Sequence, residues 1–110
     1  MESKIIESVR LGERYQRLCY PSGLTVLLYP VPEFQSAYAV FGTKYGASDN
    51  AFRREGEEEF TFVPDGIAHF LEHKLFESED GDAFRLFAET GADANAYTSF
   101  DKTCYLFSCT

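Results

Sequence analysis

The sequence is poor in positive charge. It carries 10 Lys and Arg against 18 Asp and Glu, a formal net charge of −8. The basic residues are scattered and form no stripe. Such a field repels phosphate backbones and anionic headgroups, so neither nucleic acid nor a membrane surface is a natural partner. Long apolar runs are also missing: nothing approaches the ~18 residues of a membrane-spanning helix. The stretch Met1–Arg10 lacks the apolar core of a signal peptide. Cysteine is sparse and odd in number, Cys19, Cys104 and Cys109, with no CxxC. Three thiols cannot all pair within one chain, which fits reduced cysteines and a cytoplasmic location. No internal repeat or linker is visible.

What is present is ordinary globular material. The 110 residues are 45% hydrophobic and 25% charged, which excludes a disordered or fibrous chain and suits one domain. Residues 14–20 and Leu24–Tyr29 are apolar runs separated by Tyr20-Pro21-Ser22-Gly23, and the pair predicts a hairpin closed by Pro30 and Pro32. Ser36–Tyr45 predicts a third strand. Residues 47–63, with the charged run Arg53–Glu59, read as a solvated loop. A helix is expected from Pro64-Asp65, with Ile67, Phe70, Leu71 and Leu75 as its core-facing stripe. A second, short helix follows, with Asp80 or Asp82 near its start. Ala83, Phe84, Phe87 and Ala88 face inward, and Gly91 forms its left-handed stop. Ala94–Ser99 and Thr103–Ser108 predict two strands around a turn at Phe100–Lys102. The order β-β-β-α-α-β-β indicates an α+β fold, a largely antiparallel sheet with helices packed on one face.

Histidine is scarce too, and its placement is informative. The only two, His69 and His73, stand four apart on the expected helix in the run His69-Phe70-Leu71-Glu72-His73. That spacing stacks both imidazoles on one helix face, where they can bind one Zn²⁺. Glu72 falls beside them. A carboxylate beside a water on zinc can take its proton, and zinc brings that water's pKa near neutrality. H-x-x-E-H is the inverzincin pattern, the reverse of H-E-x-x-H.

The stretch Gly66-Ile67-Ala68-His69-Phe70-Leu71-Glu72-His73 resembles the signature of the M16 (pitrilysin/insulinase-like) zinc metallopeptidases. Asn95-Ala96-Tyr97-Thr98-Ser99 resembles the family's N-A-x-T-S stretch, and Ser22–Val26 its first hairpin turn. His73-Lys74-Leu75-Phe76-Glu77 is most similar to the bacterial branch. The resemblance, which runs from about residue 16 to 110, implies a partial M16/LuxS-like metallohydrolase domain. It implies zinc on His69 and His73, Glu72 as general base, and peptides or unstructured segments as substrates of an endopeptidase. It also implies that Asn95 and Ala96 lie on an edge strand holding an extended peptide, a role open to any edge strand through its unpaired backbone groups. By their own pattern, Asn95–Ser99 are equally an ordinary polar edge. The family also contains non-catalytic scaffold or partner subunits, and a homodimer or a heterodimer with a related subunit is implied as a possibility.

A catalytic zinc wants three protein ligands and a water. The resemblance implies a third, a Glu, beyond Thr110. Glu77 lies eight residues from His69, ~12 Å along a helix axis, too far for one ion to bridge. Glu79 and Glu89 need a chain reversal that the sequence does not supply. The expectation is therefore that 1–110 is the N-terminal part of one peptidase domain, and that alone it binds zinc weakly and does not cleave peptides.

Overall fold

The computed structural model describes residues 1–78 and 81–110, in two compact units, Met1–Gln35 and Ser36–Thr110. Among the described residues no helix is long and apolar enough to cross a membrane.

The first unit is an antiparallel sheet of β1 (Glu2–Ser8), β2 (Glu13–Cys19) and β3 (Thr25–Leu28), in that order. The hairpin expected from the Pro-Ser-Gly turn is present, with Leu18 opposite Val26. Strand β1 was not expected. Its Glu-Ser-Lys start lacks an apolar alternation, and it exists by pairing with β2, Ile5 opposite Gln16.

The second unit holds the remaining elements. They are β4 (Ala37–Thr43), the hairpin β5 (Ala51–Phe52) with β6 (Thr61–Phe62), α1 (Ile67–Phe76), the hairpin β7 (Glu77–Ser78) with β8 (Gly81–Asp82), α2 (Ala83–Glu89), β9 (Asp93–Thr98) and β10 (Thr103–Cys109). Residues 47–63 are thus not all loop. Two-residue strands carry too little periodicity to be read from sequence. The main sheet runs β4-β10-β9, all antiparallel. Both helices lie on one face of it, so the fold is the expected α+β.

Aromatic contacts tie helices to sheet. Phe76 of α1 stacks on Phe84 of α2, centroids 4.2 Å apart, and meets Tyr105 of β10 at 5.9 Å. Phe87 of α2 lies 5.8 Å from Phe107. Of the four residues expected to face inward on α2, Ala83 and Phe87 are half-buried, Phe84 stacks on Phe76 yet stays 40% exposed, and Ala88 is exposed. Asp82 caps α2 by accepting from the Phe84 N–H at 2.8 Å. Asp80, the other candidate cap, lies outside the described residues. Gly91 ends α2 as expected, at φ 74°, with its own N–H on the Ala88 carbonyl and the Ala92 N–H on Phe87. These two bonds make a Schellman motif.

The stripe expected on α1 is not its buried face, and of its four residues only Ile67 is half-buried. Phe70, Leu71 and Leu75 are 55%, 45% and 67% exposed, and the buried residues of α1 are Ala68 and Glu72. The reason lies in the strand beneath. On β9 the row turned to α1 is Ala94, Ala96 and Thr98, two methyls and a hydroxyl. Ala68 and Glu72 match that narrow, partly polar row; a row of Leu and Phe does not.

Loops fix where α1 starts. The N–H groups of Ala47 and Ser48 bond the Ser99 and Phe100 carbonyls at 2.8 and 3.0 Å, and Gly66 N–H reaches the Ala47 carbonyl at 3.3 Å. Asn50 donates to Asp65 at 3.1 Å. Gly46 permits this: a Cβ there would sit 2.5 Å from the backbone of Phe100, Asp101 and Lys102. The segment 46–50 therefore couples the α1 start to the β9–β10 turn.

Candidate metal centre

Spacing of four on α1 brings the two histidines together. Their Nε2 atoms are 3.0 Å apart and their ring centroids 4.8 Å apart, with both side chains exposed. Two nitrogens this close can both lie at the usual ~2.0–2.1 Å from one zinc. The pair therefore fits two positions of a zinc site. His73 and Lys74 also occupy the last turn of α1, where the helix dipole favours positive charge.

Glu72 has a different setting from its neighbours. It is only 9% exposed, turned toward β9, and its Oε2 accepts a hydrogen bond from the Thr98 hydroxyl. Glu72, expected beside the histidines, thus belongs instead to the buried side of α1 with Ala68. A hydrogen bond satisfies one of its oxygens there, as burial of a carboxylate requires. Tyr105 lies on the same sheet face. Burial, and then the charge of Glu72, raise its hydroxyl above the ordinary tyrosine pKa.

Among the described residues no third ligand joins the histidines: no group of three His, Cys, Asp or Glu side chains there could hold a metal. Glu77 is not on the helix, which ends at Phe76; its backbone is extended at φ −98°. Its carboxylate pairs with Lys74 at 2.5 Å, and that hydrogen bond and charge hold its pKa below the ordinary value. Glu89 sits on α2 against Arg85. Glu79 lies outside the described residues.

Asn95 and Ala96 are on β9, which is an edge of the β4-β10-β9 sheet. They point to opposite faces, Ala96 toward α1 and Asn95 away. The Ala96 N–H donates to the Asn95 side-chain oxygen at 2.8 Å. Sequence reasoning missed Thr98 and Tyr105 as neighbours of Glu72. The available signal was strand alternation, which puts Thr98 on the face of Ala94 and Ala96.

A sequence model of the family described as Insulinase (Peptidase family M16) matches residues 63–110. The chain is 53% identical over 97% of its length to the uncharacterised zinc protease YmfH of Bacillus subtilis (strain 168). It is 34% identical over 84% of its length to insulin-degrading enzyme-like 2 of Arabidopsis thaliana. A crystal structure described as an M16-like peptidase from Alicyclobacillus acidocaldarius superposes with a TM-score of 0.77 over 87% of the chain, at 48% identity. The chain spans 25%, 9% and 22% of those three proteins, respectively. Motif-bearing helix, sheet topology and sequence identity converge on the M16 (insulinase) family of peptidases.

Proposed function

We propose that this chain is the N-terminal part of a zinc-dependent endopeptidase domain acting on peptides or unstructured segments. The observation that carries the reading is the pair of imidazole Nε2 atoms 3.0 Å apart, with the buried, hydrogen-bonded carboxylate of Glu72 one residue from His73. His69 and His73 supply two metal ligands, and a Glu beyond residue 110 supplies the third. Zinc bound there acts as a Lewis acid and makes water more acidic.

Glu72 then handles the proton. It accepts one from the attacking water as the C–O bond forms, and returns it to the amine as the C–N bond breaks. The products are a carboxylate and an amine. Strand β9 holds the substrate backbone by adding a strand to the sheet edge. The Asn95 side chain occupies the Ala96 N–H, a group that an incoming peptide carbonyl would use, so docking exchanges one hydrogen bond for another. The chain acts in the cytoplasm, alone or paired with a related subunit.

A non-catalytic M16-like scaffold or partner subunit is the second reading. Zinc analysis of the purified full-length protein separates the two. The peptidase reading expects one zinc per chain, lost in His69→Ala and in His73→Ala. A wild-type protein without zinc supports the partner subunit.

A further inference from the structure

Glu72 is held from outside its own helix. We propose that Thr98 is a positioning residue for Glu72: its hydroxyl fixes one carboxylate oxygen so that the other is presented to the reacting water. This rests on the reading of Glu72 as the general base.

Three observations carry the proposal. Thr98 Oγ1 is the donor to Glu72 Oε2, a contact between residues 26 apart in sequence that links helix to strand. Thr98 is half-buried on the β9 face turned to α1, and it is the only hydroxyl in the row Ala94, Ala96, Thr98. It is also rigidly seated. Its cross-strand partner is Thr103, which is 2% exposed and donates to the Tyr45 carbonyl at 2.8 Å. A β-branched side chain in a strand has few χ1 options, so the hydroxyl has little freedom to leave.

The chemistry follows from the geometry. A glutamate has three side-chain torsions, and a free one samples many orientations. Proton transfer needs one oxygen within hydrogen-bond reach of the water. Pinning Oε2 to β9 leaves Oε1 as the exchanging atom and removes most of that search. The small side chains of Ala94 and Ala96 let α1 approach β9 closely enough for the bond to form. The contact serves the base alone, since His69 and His73 point outward and are not bonded to β9 among the described residues.

The test uses the full-length protein, zinc-loaded, and an internally quenched fluorogenic peptide selected from a random pool for fastest cleavage. Thr98→Val keeps shape and β-branching and removes the donor. A hydrogen bond to a charged group corresponds to roughly 10–100-fold, and the drop is expected in kcat, with KM and zinc content unchanged. Thr98→Ser restores the hydroxyl and should recover kcat to within about threefold, a rescue that a merely structural role would not produce. Glu72→Gln is measured in parallel. If Glu72→Gln is inactive while Thr98→Val keeps kcat within threefold of wild type, the positioning role is wrong and the base assignment stands. If Thr98→Val loses zinc together with activity, Thr98 supports the helix as a whole, and the proposal is overturned. If Glu72→Gln cleaves normally, the base assignment and this proposal fall together.

Discussion

Among the described glycines, Gly46 should be the least replaceable. A methyl placed on it would lie 2.5 Å from three backbone atoms of residues 100–102. Backbone cannot swing aside as a side chain can. Either the 45–48 segment or the β9–β10 turn must move. Overpacking of this kind costs ~1–3 kcal/mol. Movement also strains the bonds from Ala47 and Ser48 to the turn, each contributing about 1 kcal/mol. Gly46→Ala should therefore lose roughly 2–4 kcal/mol. At a slope of about 2 kcal/mol per molar urea, the unfolding midpoint should drop by about 1–2 M. Gly42→Ala is the internal control. Its Cβ meets Cys104 Sγ at 3.6 Å, an ordinary contact, so its midpoint should stay the same or rise slightly. Urea titrations of the full-length variants by circular dichroism compare the two. Equal midpoints for Gly46→Ala and Gly42→Ala would refute the argument that this close approach anchors the α1 start.

Gly91→Ala forces a side chain into φ 74° at the end of α2 and should cost ~1–2 kcal/mol, read from the same urea titration. The Tyr105 hydroxyl should titrate above the ordinary tyrosine value by NMR of labelled tyrosine. Glu72→Gln should lower it part of the way, because the larger cause, burial, remains. The sign for stability follows: with the folded pKa above the unfolded one, this contribution is complete below the ordinary tyrosine pKa. It is lost as pH rises through the raised value. A Tyr105 titration unchanged by Glu72→Gln would remove the charge of Glu72 from its surroundings.

The parts of the fold that local chemistry dictates were legible in the sequence. The Pro-Ser-Gly turn, Gly91 after α2, and the alternation of β9 and β10 each have a short-range cause, and each element stands within a few residues of its expected place. Strand β1 and the two-residue hairpins depend on pairing partners, which no local pattern reveals. The α1 stripe failed for a related reason. Hydrophobicity marked Phe70, Leu71 and Leu75, but the surface available to α1 is Ala94, Ala96 and Thr98, and this favours Ala68 and Glu72. At the site, the four-residue spacing gave the histidine pair because helix geometry alone sets it. The Thr98–Glu72 contact spans 26 residues and needs the packing of α1 on β9, which spacing cannot express.

The most direct measurement is peptide cleavage by the full-length protein carrying Glu72→Gln, with zinc content determined on the same sample. Gln keeps the size of Glu72 and the hydrogen bond from Thr98 but cannot take a proton at neutral pH. The account predicts one zinc per chain, as in the wild type, and cleavage reduced by at least about 100-fold, the low end of what a general base contributes. A zinc-loaded Glu72→Gln protein that cleaves at the wild-type rate would contradict it.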